Sequence, residues 1–176
     1  MKVLITGAFC SGKTTISNDL SERLHVQLIA DYCREILEVF PHVDWTIPEL
    51  RHHLLVRQLV VEKQQCRADA ITVIDGGIVS NLAHDRVLLK SIPDRRELIK
   101  RMNHDPYDLV FQCDHNEISL VDDGKRFTDA VLRNRVSQEI SNVLDMLGYD
   151  NRILLLGSRE DRFAFASDHI LRYKRQ

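Results

Sequence analysis

TGAFCSGKTTIS, Thr6–Ser17, begins where an apolar run, Lys2–Thr6, breaks off at a glycine. Gly7 and Gly12 bracket four residues, and Lys13 and Thr14 follow directly. Glycines at both ends let the backbone curl until successive N–H groups point at one centre. A helix starting at Lys13 adds the positive end of its dipole to that centre. The residues expected to cradle a phosphate are Gly7, Ala8, Cys10, Ser11, Gly12, Lys13, Thr14 and Thr15.

Gly-x4-Gly-Lys-Thr is the full P-loop pattern, in which the lysine reaches the β- and γ-phosphates and the hydroxyl ligates Mg²⁺. Context agrees with the motif: a strand leads into it and a helix, Lys13 to about Leu24, leads out. A chance match in a chain this long is on the order of one in a hundred at average glycine usage. A nucleotide triphosphate with Mg²⁺ is therefore expected. The guanine-reading sequence N-K-x-D is absent from the chain, which favours ATP.

Outward from the loop, short apolar runs alternate with helical patterns. VQLIA (26–30), ITVID (71–75), YDLVFQC (107–113) and RILLL (152–156) read as strands two to five. REILEVF (34–40) reads as a short helix ended by Pro41. Thr46 and Glu49 have capping-box spacing, and Leu50, Leu54, Leu55 and Leu59 continue at helical spacing toward Ala70. Val136, Ile140, Val143, Leu144 and Leu147 mark a further helix before Gly148, and Ser158 with Asp161 opens the last. The strands are too continuously apolar for a sheet with one wet face. The expected fold is α/β, a parallel sheet with helices on both sides, in a single domain spanning 1–176.

Composition narrows the function. With 44% hydrophobic and 28% charged residues the chain reads as an ordinary soluble globule, and a net charge of −2 gives no broad attraction for nucleic acid or anionic membranes. No apolar run approaches the roughly 20 residues that span a bilayer. Cys10, Cys33, Cys66 and Cys113 form no C-x-x-C pair, so a reduced, cytoplasmic chain is expected. Cys10, inside the loop, is either a tolerated filler or a redox-sensitive thiol.

Chemistry in a parallel α/β sheet gathers at the carboxyl ends of the strands, where Asp31 and Asp75 stand. Asp75 ends the third strand and is the candidate Mg²⁺-organising acid; the alternative is an ordinary turn before Gly76-Gly77. Asp31 and Arg34 fall within one helical turn and suggest an acceptor site, the acid taking a hydroxyl proton and the guanidinium holding an anion. The alternative is a helix cap with a surface pair. Arg126 and Arg133 lie seven apart; if that span is helical they share a face and can neutralise charge during phosphoryl transfer, or else form a solvated face. Trp45 is placed either to stack on an aromatic substrate or to anchor the core.

GAFCSGKTT, DYCREILE, TVIDGG, YDLVFQC and VDDGKRFTDAVLRNRV, in that order, resemble the P-loop domain shared by the ribosylnicotinamide kinase part of NadR and related AAA-type ATPases. The resemblance runs from Met1 to about Ile170. It implies a nucleotide-kinase-like fold with strand order 2-3-1-4-5, a lid over about 114–135, Mg²⁺-ATP, and γ-phosphoryl transfer to a nucleoside hydroxyl. By matching position it assigns Asp31 and Arg34 to the acceptor, Asp75 to the metal, and Arg126 and Arg133 to the lid. The family more often has glutamate at the position of Asp31, and nucleoside kinases often have arginine where this chain has Gly76. The DNA-binding and adenylyltransferase parts of NadR have no counterpart in the expected single domain.

The function expected is thus an ATP-dependent kinase acting on a small, nucleoside-like acceptor, with Lys13, Asp31, Arg126 and Arg133 in the chemistry. The alternative is a regulatory nucleotide-binding module with slow hydrolysis and no small-molecule acceptor. Neither membrane nor nucleic acid is expected as a partner.

Overall fold

The computed structural model describes residues 1–89, 95, 99–100, 105–116, 118–120 and 128–174. Five strands, β1 (Lys2–Thr6), β2 (Gln27–Ile29), β3 (Thr72–Asp75), β4 (Leu109–Cys113) and β5 (Ile153–Leu155), form one parallel sheet in the order β2-β3-β1-β4-β5. The helices whose ends lie among the described residues are α1 (Lys13–Leu24), α2 (Tyr32–Val39), α3 (Pro48–Gln65), α4 (Gly77–Leu88), α5 (Ala130–Met146) and α6 (Arg159–Tyr173). The expected fold class and strand order are both present.

β1 is central and buried along its whole length, and its alternation builds two cores. Leu4 faces Ile74, Leu55, Ile78, Val136 and Ile140, beneath α3, α4 and α5. Val3 and Ile5 face Ile16, Leu20, Phe111, Phe163 and Ala166, beneath α1 and α6. A strand sandwiched this way needs apolar residues on both faces, which is why its sequence shows no polar alternation. Register sets the site: Ile5 pairs with Asp75 and Thr6 with Gln112, so β1, β3 and β4 end together beneath the glycine loop.

Element ends differ from the sequence reading in instructive places. Thr46 does not cap α3, because the Asp44 carboxylate accepts from both its backbone N–H (2.9 Å) and its hydroxyl (2.7 Å). The helix instead starts with Pro48, whose fixed φ suits a first turn, after Ile47, which gives no side-chain cap. It ends at Gln65 rather than near Ala70, where Cys66 turns extended. The Ser158–Asp161 capping box of α6 forms as expected.

A buried ionic clamp joins α3 to α4. Arg51 donates to Asp85 at 2.7 Å and to the Asn81 carbonyl at 2.7 Å, and Arg95 donates to the second Asp85 oxygen at 2.9 Å. Arg51 and Asp85 are 2% and 1% exposed. Truncating the acid removes the carboxylate that neutralises both guanidinium charges. Asp85→Ala is expected to cost about 3–5 kcal/mol in urea unfolding, as buried pairs do when one partner is removed; a loss below about 1 kcal/mol would show the clamp to be dispensable.

Candidate functional site

The glycine loop closes between β1 and α1 by unusual backbone angles. Gly12, with φ 82°, is the left-handed N-cap of α1, a conformation costly for a residue with a Cβ. A Cβ on Gly7 would sit 2.5 Å from the Ser11 hydroxyl and 2.9 Å from the Cys113 carbonyl, so the loop has no room for one. Cys10 also has a positive φ, 55°, and its side chain is partly exposed beside the loop. An open cavity of about 200 Å³ lies over the loop, lined by Ser11, Gly12, Lys13, Thr14 and Arg34.

Beneath that cavity the sequence-derived residues converge. The Thr14 hydroxyl donates to Asp75 at 2.5 Å and accepts from Arg34 at 2.8 Å. The second Asp75 oxygen, Oδ1, is buried with no hydrogen-bond partner among the described residues. Burial raises the Asp75 carboxyl above the ordinary range, with nearby Asp31 acting the same way; Lys13, the Thr14 hydrogen bond and Arg34 oppose it. A buried, under-satisfied carboxylate beside a threonine hydroxyl fits a small hard cation, which takes one or two protein oxygens and fills its other positions with water and phosphate oxygens. No group of three or more His, Cys, Asp or Glu suited to a metal occurs among the described residues.

Asp31 follows β2 and caps α2, its Oδ1 accepting from the Cys33 N–H at 3.0 Å. The cap does not withdraw it from the site. Asp31, Arg34 and Lys13 all line a second cavity of about 100 Å³, walled by Phe9, Leu37, Trp45 and Leu88. Trp45 therefore faces this cavity. Gly76, φ 77°, lets the chain turn from β3 into α4 close to Asp31, and a guanidinium reaches Thr14 from α2 rather than from that turn. Arg34 and Lys13 line both cavities, so the two spaces meet at these cations.

The arginine pair of the lid is only partly placed. Arg126 lies outside the described residues. The helix that would align it with Arg133 is interrupted, because Asp129 is extended and caps α5 by accepting from Val131 and Leu132. Arg133 donates to the Ile118 carbonyl at 2.8 Å, and His115 meets Asn134 at 2.8 Å, so two bonds tie the stretch after β4 to α5. Arg135 is exposed.

Three participants were missed by the sequence reading. Arg162, 2% exposed, donates to the Ser11 and Gly157 carbonyls at 2.9 Å and so braces the glycine loop from α6. Its signal was the stripe 162-166-170, in which an arginine takes the first place of a buried face. Asn81 and His84, three apart on α4, also line the Trp45 cavity. Burial, aided by Arg51, pulls the His84 imidazole down to about 4, so it is neutral at physiological pH.

A family model described as AAA domain matches residues 2–162, and the chain belongs to that family. No curated protein matches the sequence. Among solved structures, NadR protein in complex with NR is similar at TM-score 0.80 and 19% identity, over 98% of this chain and 51% of that one. Thymidylate kinase from Candida albicans is similar at TM-score 0.69 and 17% identity, over 98% and 92%. Deoxyadenosine kinase from M. mycoides with bound dATP is similar at TM-score 0.61 and 12% identity, over 97% and 99%. The fold is that of P-loop nucleoside and nucleotide kinases, and the chain spans about half the length of the NadR structure. No helix among the described residues is long and apolar enough to cross a membrane.

The Asp75 environment has a thermodynamic consequence. Its carboxyl is raised in the folded state, so folded protein holds that proton more tightly than unfolded chain does. The resulting stability is complete below the unfolded value and is lost as pH rises through the folded one. Asp75→Asn, which keeps the shape without the charge, is expected to raise the Tm of nucleotide-free, metal-free protein at pH 8. The gain should shrink as pH falls toward 4. Thermal melts across that range check it, and a lower Tm for the variant at pH 8 would contradict it.

Proposed function

We propose that this protein is an ATP-dependent kinase that transfers the γ-phosphoryl group to a hydroxyl of a small, nucleoside-like acceptor, with ribosylnicotinamide among the candidates. The observation that carries the reading is that the loop cavity and the Trp45 cavity share Lys13 and Arg34. A phosphate donor on the loop and an acceptor in the second cavity then meet where two cations stand. A regulatory ATPase has no use for the second, aromatic-walled cavity. Two of the similar structures are named as a deoxyadenosine kinase and a thymidylate kinase, and the third is NadR protein in complex with NR, which supports the same reading.

The loop residues Gly7, Ala8, Cys10, Ser11, Gly12 and Thr15 hold the phosphates with backbone N–H groups, and Lys13 bridges toward the γ-phosphate. The donor's base has room in an opening of about 430 Å³ beside the loop, between Ile118, Gly157 and Arg159. Thr14 and Asp75 would hold Mg²⁺, which would supply charge neutralisation at the phosphates. Arg34 moves from the Thr14 hydroxyl onto the transferring group or the acceptor. Asp31, its Oδ1 engaged by the cap, uses Oδ2 to take the proton of the attacking hydroxyl. The bond from the β–γ bridging oxygen to phosphorus breaks as the acceptor oxygen–phosphorus bond forms. Arg133, with Arg126, acts from the lid on the charge that develops.

Two substitutions divide the donor from the acceptor half. Lys13→Ala is expected to remove most Mg²⁺-ATP affinity by calorimetry while leaving the circular dichroism spectrum unchanged. Unchanged affinity in the folded variant would refute the loop assignment. Asp31→Asn is expected to lower acceptor-dependent turnover by about 10²-fold, the modest end for a general base because phosphoryl-transfer transition states are loose. ATP affinity should hardly move. Wild-type turnover in that variant would reduce Asp31 to a helix cap.

A further inference from the structure

The polar lining of the Trp45 cavity is mixed: Lys13, Arg34 and Arg51 bring donors, Asp31 accepts, and the Ser80 hydroxyl can do both. Two side chains of α4, Asn81 and His84, line it one helical turn apart. His84 has spent its ring N–H, and Asn81 one of its two amide hydrogens, on the same helix. Asn81 Nδ2 donates to the Gly77 carbonyl at 3.2 Å, and His84 Nδ1 stands 2.7 Å from the Ser80 carbonyl. A carbonyl oxygen only accepts, so these two contacts settle which atom carries hydrogen. The His84 proton is on Nδ1, and Nε2 keeps a lone pair. The Asn81 amide turns its Oδ1 away from Gly77, where its one partner among the described residues is the Cys33 thiol at a long 3.8 Å. No described residue donates to His84 Nε2.

Backbone geometry holds this arrangement. The Arg51–Asp85 clamp grips α4 at the Asn81 carbonyl, so the helix cannot slide to re-aim the two side chains. Asn81 is 7% exposed, and a buried amide oxygen held only by a long thiol contact gains free energy from a stronger donor.

We propose that Asn81 Oδ1 and His84 Nε2 are specificity determinants that read an NH2 group on the planar ring of the acceptor. An amino or carboxamide NH2 carries two hydrogens, one for each lone pair, and no lone pair that these atoms would repel. A carbonyl or carboxylate at the same place would set acceptor against acceptor. The substrate class named is thus amino- or carboxamide-bearing nucleosides over their oxo or acid counterparts, with Trp45 and Phe9 providing apolar walls for the ring. The inference rests on the kinase reading of this cavity, but its test reads binding rather than turnover.

The experiment is calorimetry of wild-type protein saturated with Mg²⁺ and AMP-PNP, using three matched pairs. They are adenosine and inosine, cytidine and uridine, and nicotinamide riboside and nicotinic acid riboside. The pairs separate a ring amine on a purine, a ring amine on a pyrimidine and a carboxamide as the source of the NH2. At least one pair should show roughly tenfold or greater preference for the NH2-bearing member, the scale of one or two lost hydrogen bonds. That preference should fall to within about threefold in His84→Phe or Asn81→Leu, with AMP-PNP affinity retained. Equal affinity within all three pairs, or no binding by any member, overturns the inference without need of a variant. So does a preference that survives in both variants. Acceptor-dependent ADP release without NH2 selectivity overturns this inference alone and leaves the kinase reading standing. NH2-selective binding with no turnover supports the inference and counts against the kinase reading.

Discussion

The hydrogen bond from Thr14 to Asp75 is the contact on which the rest of the site depends. It joins the first turn of α1 to the end of β3, and it exists because β1 and β3 run parallel in a register that sets Ile5 beside Asp75. The two glycines let the chain leave β1 and enter α1 within six residues, so Thr14 comes back over the same strand ends. The cost is a buried carboxylate with one oxygen unpaired among the described residues. In the proposed kinase a bound cation would offset that cost.

Around that contact the molecule divides labour by layer. In the proposed kinase the α1 and α6 layer would serve the donor: Arg162 braces the loop through Ser11, and Arg159 grips Asp19 of α1 with two bonds. In that kinase the α3 and α4 layer would serve the acceptor: the buried Arg51–Asp85 pair holds α4, whose Asn81 and His84 line the Trp45 cavity. Lys13 and Arg34 belong to both compartments. The Arg159–Asp19 pair is partly buried and the Arg51–Asp85 pair buried, and their value lies in fixing geometry more than in net stability.

Much of this was legible in sequence because it is written in local rules. The P-loop needs glycines at fixed spacing, parallel strands need unbroken apolar runs, and a capping box needs Ser158 and Asp161 three apart. What escaped depends on distance in the chain. Asp44, two residues before Thr46, captured the hydroxyl that capping-box spacing assigned to α3. The sequence leaves Asp31 open as cap or acceptor-site residue, and geometry allows both, since Oδ1 takes the cap bond and Oδ2 lies toward Gly76. Arg162 and Asn81 looked like ordinary helix residues; only the packing of α6 on the loop and of α3 on α4 gives them their partners. The alignment of Arg126 with Arg133 assumed a continuous helix, which the extended Asp129 interrupts.

Acceptor-dependent phosphoryl transfer tests the central claim most directly. Protein incubated with Mg²⁺-ATP, alone and with a panel of nucleosides including ribosylnicotinamide, is followed for ADP and for phosphorylated product. Two cavities meeting at Lys13 and Arg34 predict ADP release that rises sharply with one class of acceptor, matched mole for mole by its monophosphate. Slow ADP release that no acceptor accelerates would contradict it, leaving a nucleotide-hydrolysing module in place of a kinase.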